Sequence, residues 1–142
     1  MTSKTPQADA SAPDNDVTRV LMALHPKVVI DGSTAAGWFE PQPEHRGNPG
    51  WVHGGLAATV LDHVCARAAS ASLGGPVVTA KLDLRYRQPV AIGGGPYEVV
   101  AMASEPRRST VRVQGTIRGA DGKGLVQAKA LFVTRPSSLD PG

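Results

Sequence analysis

Apolar residues recur at Leu56, Ala57, Val60, Leu61, Val64 and Ala68, a three- and four-residue spacing that predicts an amphipathic helix with one buried face. Gly54 and Gly55, directly after His53, mark its entry. With Asp62 at the zero of a helical wheel, its neighbours are Gly55, Ala58, Thr59, Cys65, Ala66 and Ala69, whereas Ala57, Val60, Leu61, Val64 and Ala68 gather opposite. Asp62 therefore lies on a face of small residues. No Lys or Arg stands three or four positions away to pair with it. The carboxylate is either solvated or kept for chemistry.

After this helix the period changes to two. Gly74-Gly75-Pro76 breaks the chain, and the stretch VVTAKLDLRYRQPV sets Val78, Ala80, Leu82, Leu84 and Tyr86 against Thr79, Lys81, Asp83, Arg85 and Arg87. Pro89 and Gly93-Gly94-Gly95-Pro96 end that strand, 97–104 forms the next, and Pro106-Arg107-Arg108 turns the chain. Val111, Val113, Gly115 and Ile117 then oppose Thr110, Arg112, Gln114 and Thr116, and Asp121-Gly122 leads by a hairpin turn into a last strand at 125–134. Four antiparallel strands in a meander are expected, with one face polar. Ahead of the helix, 27–30 and 34–39 read as a short hairpin around Asp31-Gly32. The connection EPQPEHRGNPG (40–50), with three prolines and two glycines, predicts no regular element. A short helix capped by Asp16, with Val17, Val20, Leu21 and Leu24 as its apolar positions, is expected to stop before Pro26. This order predicts an α+β fold in which an antiparallel sheet wraps the apolar side of one long central helix.

Composition narrows the picture. At 142 residues the chain supplies one domain, expected over 16–136 between tails at 1–15 and 137–142, the first with the composition of a disordered segment. Aromatic residues make up 4% of the chain, so the core must come from Val, Leu and Ala, with Cys65 as a small buried filler and Trp38 and Trp51 as packing residues. A formal net charge of +3, spread along the chain, argues against a dedicated nucleic-acid binder. The lone cysteine and the absence of zinc-like Cys/His spacing lead to the expectation of a reducing, cytoplasmic setting and no metal. The amino-terminal stretch lacks the apolar centre of a signal peptide and no apolar run has membrane-spanning length, so no membrane association is expected.

The element order, together with Asn48-Pro49-Gly50, Val52-His53-Gly54-Gly55, Asp62, Thr79 and the YRQPV stretch from Tyr86 to Val90, resembles the hotdog-fold acyl-CoA thioesterases. Within them it is most similar to the PaaI-like branch of the 4-hydroxybenzoyl-CoA thioesterase superfamily, over residues 28–134. The resemblance implies a hotdog homodimer, often paired into a homotetramer, with interface active sites that hydrolyse acyl-CoA thioesters. Coenzyme A enters as part of the substrate, and no separate cofactor is implied. His63 and Arg67 stand outside the shared motif.

Thioester hydrolysis requires a positioned water, a base or nucleophile, and donors for the oxyanion. Asp62 is the candidate base or nucleophile. Amides of the Gly54, Gly55 and Leu56 region, at the positive end of the helix and without intrahelical acceptors, are the candidate donors. His53 is expected to organise the loop through a ring-to-backbone hydrogen bond, with direct proton transfer as the alternative. Asn48 is a candidate contact to water or the carbonyl, and Thr79 either orients water or substrate or is a plain strand residue. Arg87, Arg107 and Arg108 sit at strand ends or turns where they could meet the phosphates of coenzyme A; the alternative is that they are solvated surface charges. Competing functions are a non-catalytic hotdog module that binds acyl-CoA as a sensor or assembly piece, and a hydratase or dehydratase. The latter would require a second acid or histidine beside Asp62.

Helix geometry constrains the assembly. Asp62 follows Gly55 by seven residues, about 10 Å along the axis at roughly 1.5 Å per residue, so one thioester carbon cannot be held near both. The acid and the donor acting on one substrate must come from two copies with their central helices side by side and antiparallel. Mixing Asp62→Asn subunits with Gly55→Pro subunits is expected to restore activity in the heterodimers, and mixtures that stay inactive count against shared sites.

Overall fold

Helix α1 spans Gly54–Leu73, where the apolar period placed it, and stops at Gly74, whose left-handed backbone (φ 80°) closes the end with its N–H donated to the Ser70 carbonyl. The computed structural model describes residues 24–47 and 50–135. The tails at 1–15 and 137–142, most of the helix expected from Asp16, and Asn48 lie outside the described residues. Among those described, six strands accompany the helix: β1 Val28–Asp31, β2 Thr34–Phe39, β3 Val77–Tyr86, β4 Tyr97–Ala103, β5 Thr110–Arg118 and β6 Gly124–Thr134. They form one sheet in the order β1-β2-β4-β5-β6-β3, antiparallel throughout. This is the α+β hotdog architecture, a sheet curled around one long helix. No helix among the described residues is long and apolar enough to cross a membrane.

The core lies between the two. Ala57, Val60, Leu61, Val64 and Ala68 are buried on the helix, joined by Cys65 and Ala69, against Phe39, Val99, Val111, Val113, Ile117 and Phe132 from the sheet. Each fully buried large side chain contributes about 1.5–3 kcal/mol. Where the helix meets β5, the close approach falls at a glycine. A Cβ on Gly115 of β5 would come within 2.6 Å of Cys65 Sγ and 3.2 Å of Leu61 Cδ2, so the helix lies as near the sheet as it does because position 115 carries no side chain.

The expected four-strand meander is corrected: only β4, β5 and β6 follow one another, while β3 lies at the far edge beside β6 and β4 pairs with β2. The reason is the 87–96 connection. Its backbone turns to the loop before the helix, with Val52 N–H donating to Val90 O and Ile92 N–H to Gly50 O, each at 2.8 Å, instead of folding β4 back onto β3.

The strict alternation expected along β3 is also interrupted. Thr79 faces Phe132 and Lys81 faces the next residue, Leu131, leaving Ala80 without a partner, a bulge that changes which way side chains point on its two sides. Leu82 and Leu84 face the helix as expected, but so does Thr79, which strict alternation placed on the opposite face. Two smaller differences concern turns. The first hairpin closes on Gly32 and Ser33, since Asp31 already pairs with Thr34, and the 40–50 connection contains one 3₁₀ turn, Pro43–His45. Trp38 and Trp51, expected to pack, are 62% and 44% exposed; Trp38 falls on the outward side of β2, between the inward Gly37 and Phe39.

Gly115→Ala is expected to lower stability by about 1–3 kcal/mol through overpacking. Adding Cys65→Ala makes room, so urea unfolding of the double variant should show a smaller loss than the sum of the singles; strict additivity would contradict the contact. Burial, and secondarily the Asp62 charge, pushes the Cys65 thiol up to about 12 from 9.0. The folded chain therefore gives up stability as pH climbs from about 9 towards 12. At pH 8 alkylating reagents should label Cys65 only after unfolding, and labelling of the native protein would contradict its burial.

Candidate active site

The loop ahead of α1 is held by backbone bonds and one buried histidine. His45 ends the 3₁₀ turn fully buried, its Nδ1 accepting the Gln42 N–H at 2.9 Å and its carbonyl accepting the His53 N–H at 2.8 Å. Its ring also lies 5.8 Å from that of Phe39. Sequence reasoning missed His45 because periodicity says nothing of a side chain inside a proline-rich loop.

His53 is the N-cap of α1, and its Nδ1 accepts the Gly55 N–H at 3.0 Å. An imidazole thus does what Ser or Asp does at most helix starts. A Cβ on Gly55 would approach that ring to 3.3 Å, so a residue without one lets the ring seat closely. The His53 carbonyl accepts from Leu56 N–H at 3.0 Å and from Ala57 N–H at 3.1 Å. Of the three amides expected to act as donors, Gly55 and Leu56 are therefore engaged. Gly54 N–H has no hydrogen-bond partner among the described residues, and it lies exposed at the positive end of the helix. Its peptide is polarised further because the carbonyl of that unit accepts two bonds.

Tyr86, at the end of β3, donates its hydroxyl hydrogen to the Gly54 carbonyl at 2.6 Å. Burial raises its phenol above the ordinary value. The alternation marked Tyr86 as an inward residue, but nothing in the sequence singled out its hydroxyl. A hollow of about 250 Å³ opens beside Gly54, with Val52, Ala57, Val90 and Val126 among its lining residues.

Eight residues along the same helix, about 12 Å at roughly 1.5 Å per residue, the half-buried Asp62 accepts a hydrogen bond from Thr79 Oγ1 to Oδ1 at 2.8 Å. The bulge at Ala80 makes this contact possible, because it turns Thr79 to the helix side. Among the described residues Asp62 forms no ion pair. Next to it, His63 meets His25 edge to face, ring centroids 4.6 Å apart. Burial, and then the His25 charge, lowers the His63 pKa from its ordinary value.

The three arginines divide between the ends of the sheet. Arg87 follows Tyr86 at the helix-start end, where Nε donates to Gln127 Oε1 at 2.9 Å. Arg107 and Arg108 occupy the turn between β4 and β5, Arg108 in the left-handed region (φ 57°), and line an open cleft of about 770 Å³ with Ser109 and Arg112. That turn is at the Asp62 end: Thr110 pairs with Val133, and Val133 with Val78, next to Thr79. The structure thus gathers His53, Gly54, Gly55 and Arg87 in one group with Tyr86, and Asp62 with Thr79 in another.

Known proteins share both the sequence and this architecture. A family model described as the thioesterase superfamily matches residues 49–126. Acyl-coenzyme A thioesterase THEM4 of Rattus norvegicus is 36% identical over 100 residues, 68% of this chain and 39% of the rat protein, so the chain spans less than half the length of that relative. A thioesterase superfamily protein from Shewanella loihica PV-4 superposes with a TM-score of 0.67 at 28% identity, covering 78% of this chain and 91% of its own. The phenylacetic acid degradation protein PaaI from Thermus thermophilus, solved as a mutant, shares the fold with a TM-score of 0.68 at 21% identity, over 82% of this chain and 99% of that one. With the family model covering more than half of its length, including the His53 to Gly55 turn, Asp62 and Thr79, the chain belongs to the thioesterase superfamily.

Proposed function

We propose that the chain hydrolyses acyl-CoA thioesters as a homodimer, each site combining the helix start of one subunit with Asp62 of the partner subunit. The observation that carries this reading is the antiparallel run of α1 beneath β3, tied at Tyr86–Gly54 and at Thr79–Asp62. β3 is one of the sheet's two edges and, at ten residues against four in β1, the longer, an open ladder suited to pairing with its own copy. A two-fold axis at Asp83, the ladder midpoint between Thr79 and Tyr86 once the unpaired Ala80 is discounted, would exchange Thr79 with Tyr86, and with them the two ends of the site. That brings Asp62 of the partner subunit level with Gly54, which a single chain cannot do.

The thioester carbonyl oxygen then accepts the free Gly54 N–H, backed by the helix dipole. Asp62 of the partner subunit, its Oδ1 fixed by Thr79, either takes a proton from the water that attacks the thioester carbon or attacks that carbon itself. When water attacks, collapse of the tetrahedral intermediate breaks the C–S bond and releases the coenzyme A thiolate and the carboxylic acid; when Asp62 itself attacks, the same cleavage releases the thiolate and leaves a mixed anhydride on Asp62, which water hydrolyses to the acid and the free carboxylate. Gly55 and His53 serve by seating the cap. The cleft holding Arg107, Arg108 and Arg112, with Arg87 at the other end, supplies guanidinium groups for the phosphates of coenzyme A. The rat relative's name supports acyl-CoA as the substrate class. Exposed Val29, Trp38 and Met102 on the outward side of the sheet support pairing of dimers into a tetramer.

The test is thiol release from acyl-CoAs of graded chain length and from aryl-CoAs. Asp62→Asn is expected to lower kcat by roughly 10²–10⁴-fold, and Thr79→Val by about tenfold or more, the loss of a hydrogen bond to a charged group. Acyl-CoA binding without release from any substrate would replace the enzyme reading with that of a binding module, and wild-type turnover by Asp62→Asn would remove Asp62 from the chemistry.

A further inference from the structure

Gly54 contributes to two peptide units, and the two are held differently. The unit before it carries the free N–H and is held through the His53 carbonyl, which accepts from Leu56 and Ala57. The unit after it, joining Gly54 to Gly55, is held at both ends: the oxygen, already part of the helix ladder, accepts from the Tyr86 hydroxyl at 2.6 Å, and the N–H is donated to His53 Nδ1 at 3.0 Å. Between the two planes lie the torsions of a glycine, which without a Cβ has the widest conformational range of any residue. Left to itself, a glycine at the first position of a helix would let its N–H swing.

The His53 bond does not remove that freedom alone, because His53 belongs to the same loop and its exposed ring can move with it. Tyr86 comes from a different element. Its ring stands on β3, whose register is set by the ladder to β6, with Tyr86 opposite Val126. Its ring and hydroxyl atoms lie 3.6 Å from where a Cβ on Gly54 would be. Bonds at the two ends of one peptide also polarise each other, so the Tyr86 contact strengthens the Gly55 N–H as a donor to His53. Burial raises the Tyr86 phenol above its ordinary value, and the hydroxyl keeps the hydrogen it donates.

We propose that Tyr86 is a positioning residue of this site: by clamping the Gly54–Gly55 peptide from the strand side, it fixes the direction in which the Gly54 N–H meets the thioester carbonyl. The inference rests on the thioesterase reading of the site. A donor aimed at the developing oxyanion acts on the transition state more than on the bound substrate, so misaiming it lowers kcat and leaves KM nearly alone.

Tyr86→Phe keeps the ring and removes only the donated hydrogen bond. The expected result is a kcat about tenfold lower with KM nearly unchanged, a smaller effect than the roughly 10²–10³-fold loss on deleting an oxyanion donor outright. Hydrogen exchange at the Gly55 amide, which does not depend on turnover, should speed up by about tenfold as the clamped peptide loses its bond from the strand side. If the wild type releases thiol and Tyr86→Phe matches its kcat, the proposal is overturned. If the wild type releases none from any acyl-CoA, the thioesterase reading fails instead; exchange at Gly55 then decides, and an unchanged rate overturns the clamp.

Discussion

Two side-chain hydrogen bonds fasten the helix to the edge of its sheet, and the rest of the site depends on them. Tyr86 holds the first residue of α1, Thr79 holds Asp62, and both come from the same strand. Because α1 and β3 run in opposite directions, the two bonds fix the rotation of the helix and also its position along the strand. Apolar packing alone would set these less sharply: hydrophobic attraction is non-directional, whereas a hydrogen bond weakens steeply as its angle degrades. The core sets how close the helix lies, through the gap at Gly115. The hydrogen bonds set what its exposed side presents.

A complete account of the backbone donors at the helix start leads to the same atom. Helix entry leaves several N–H groups without intrahelical acceptors, and this chain satisfies those of Gly55 and Leu56 with one residue, the ring of His53 taking the first and its carbonyl the second. The donor left over is Gly54. The loop that delivers His53 is itself tied to two other segments, by Val52 to Val90 and by His53 to His45, and the one open donor follows directly after it.

The sequence made the elements legible and left their arrangement obscure, for physical reasons. Helix α1 and strand β5 lie where their periods placed them, since the burial of Val60, Leu61 and Val64 or of Val111, Val113 and Ile117 is what creates the pattern. Strand order was not legible. The 87–96 connection carries turn residues at both ends, and whether it doubles back or crosses depends on backbone bonds to 50–52 that no local pattern records. The bulge at Ala80 was hidden as well, because a residue without a partner is defined by the strand opposite. For the site, Asp62 stood out by its small neighbours, whereas the contacts of Thr79 and Tyr86 follow from register and could not be read from either residue alone. Trp38 reads as core by composition, yet its exposure follows from parity along β2.

The bulge also divides β3 into two phases. Upstream of Ala80 the residues facing the helix follow one parity, with Thr79 among them, and downstream they follow the other, with Leu82, Leu84 and Tyr86. The two ends of the site are therefore set by a count of residues as much as by their identities. Loss of one residue at position 80 would keep every side chain of the motif and still turn the threonine away from its carboxylate. In this strand, chain length is itself a site determinant, one that comparing residue types position by position does not register.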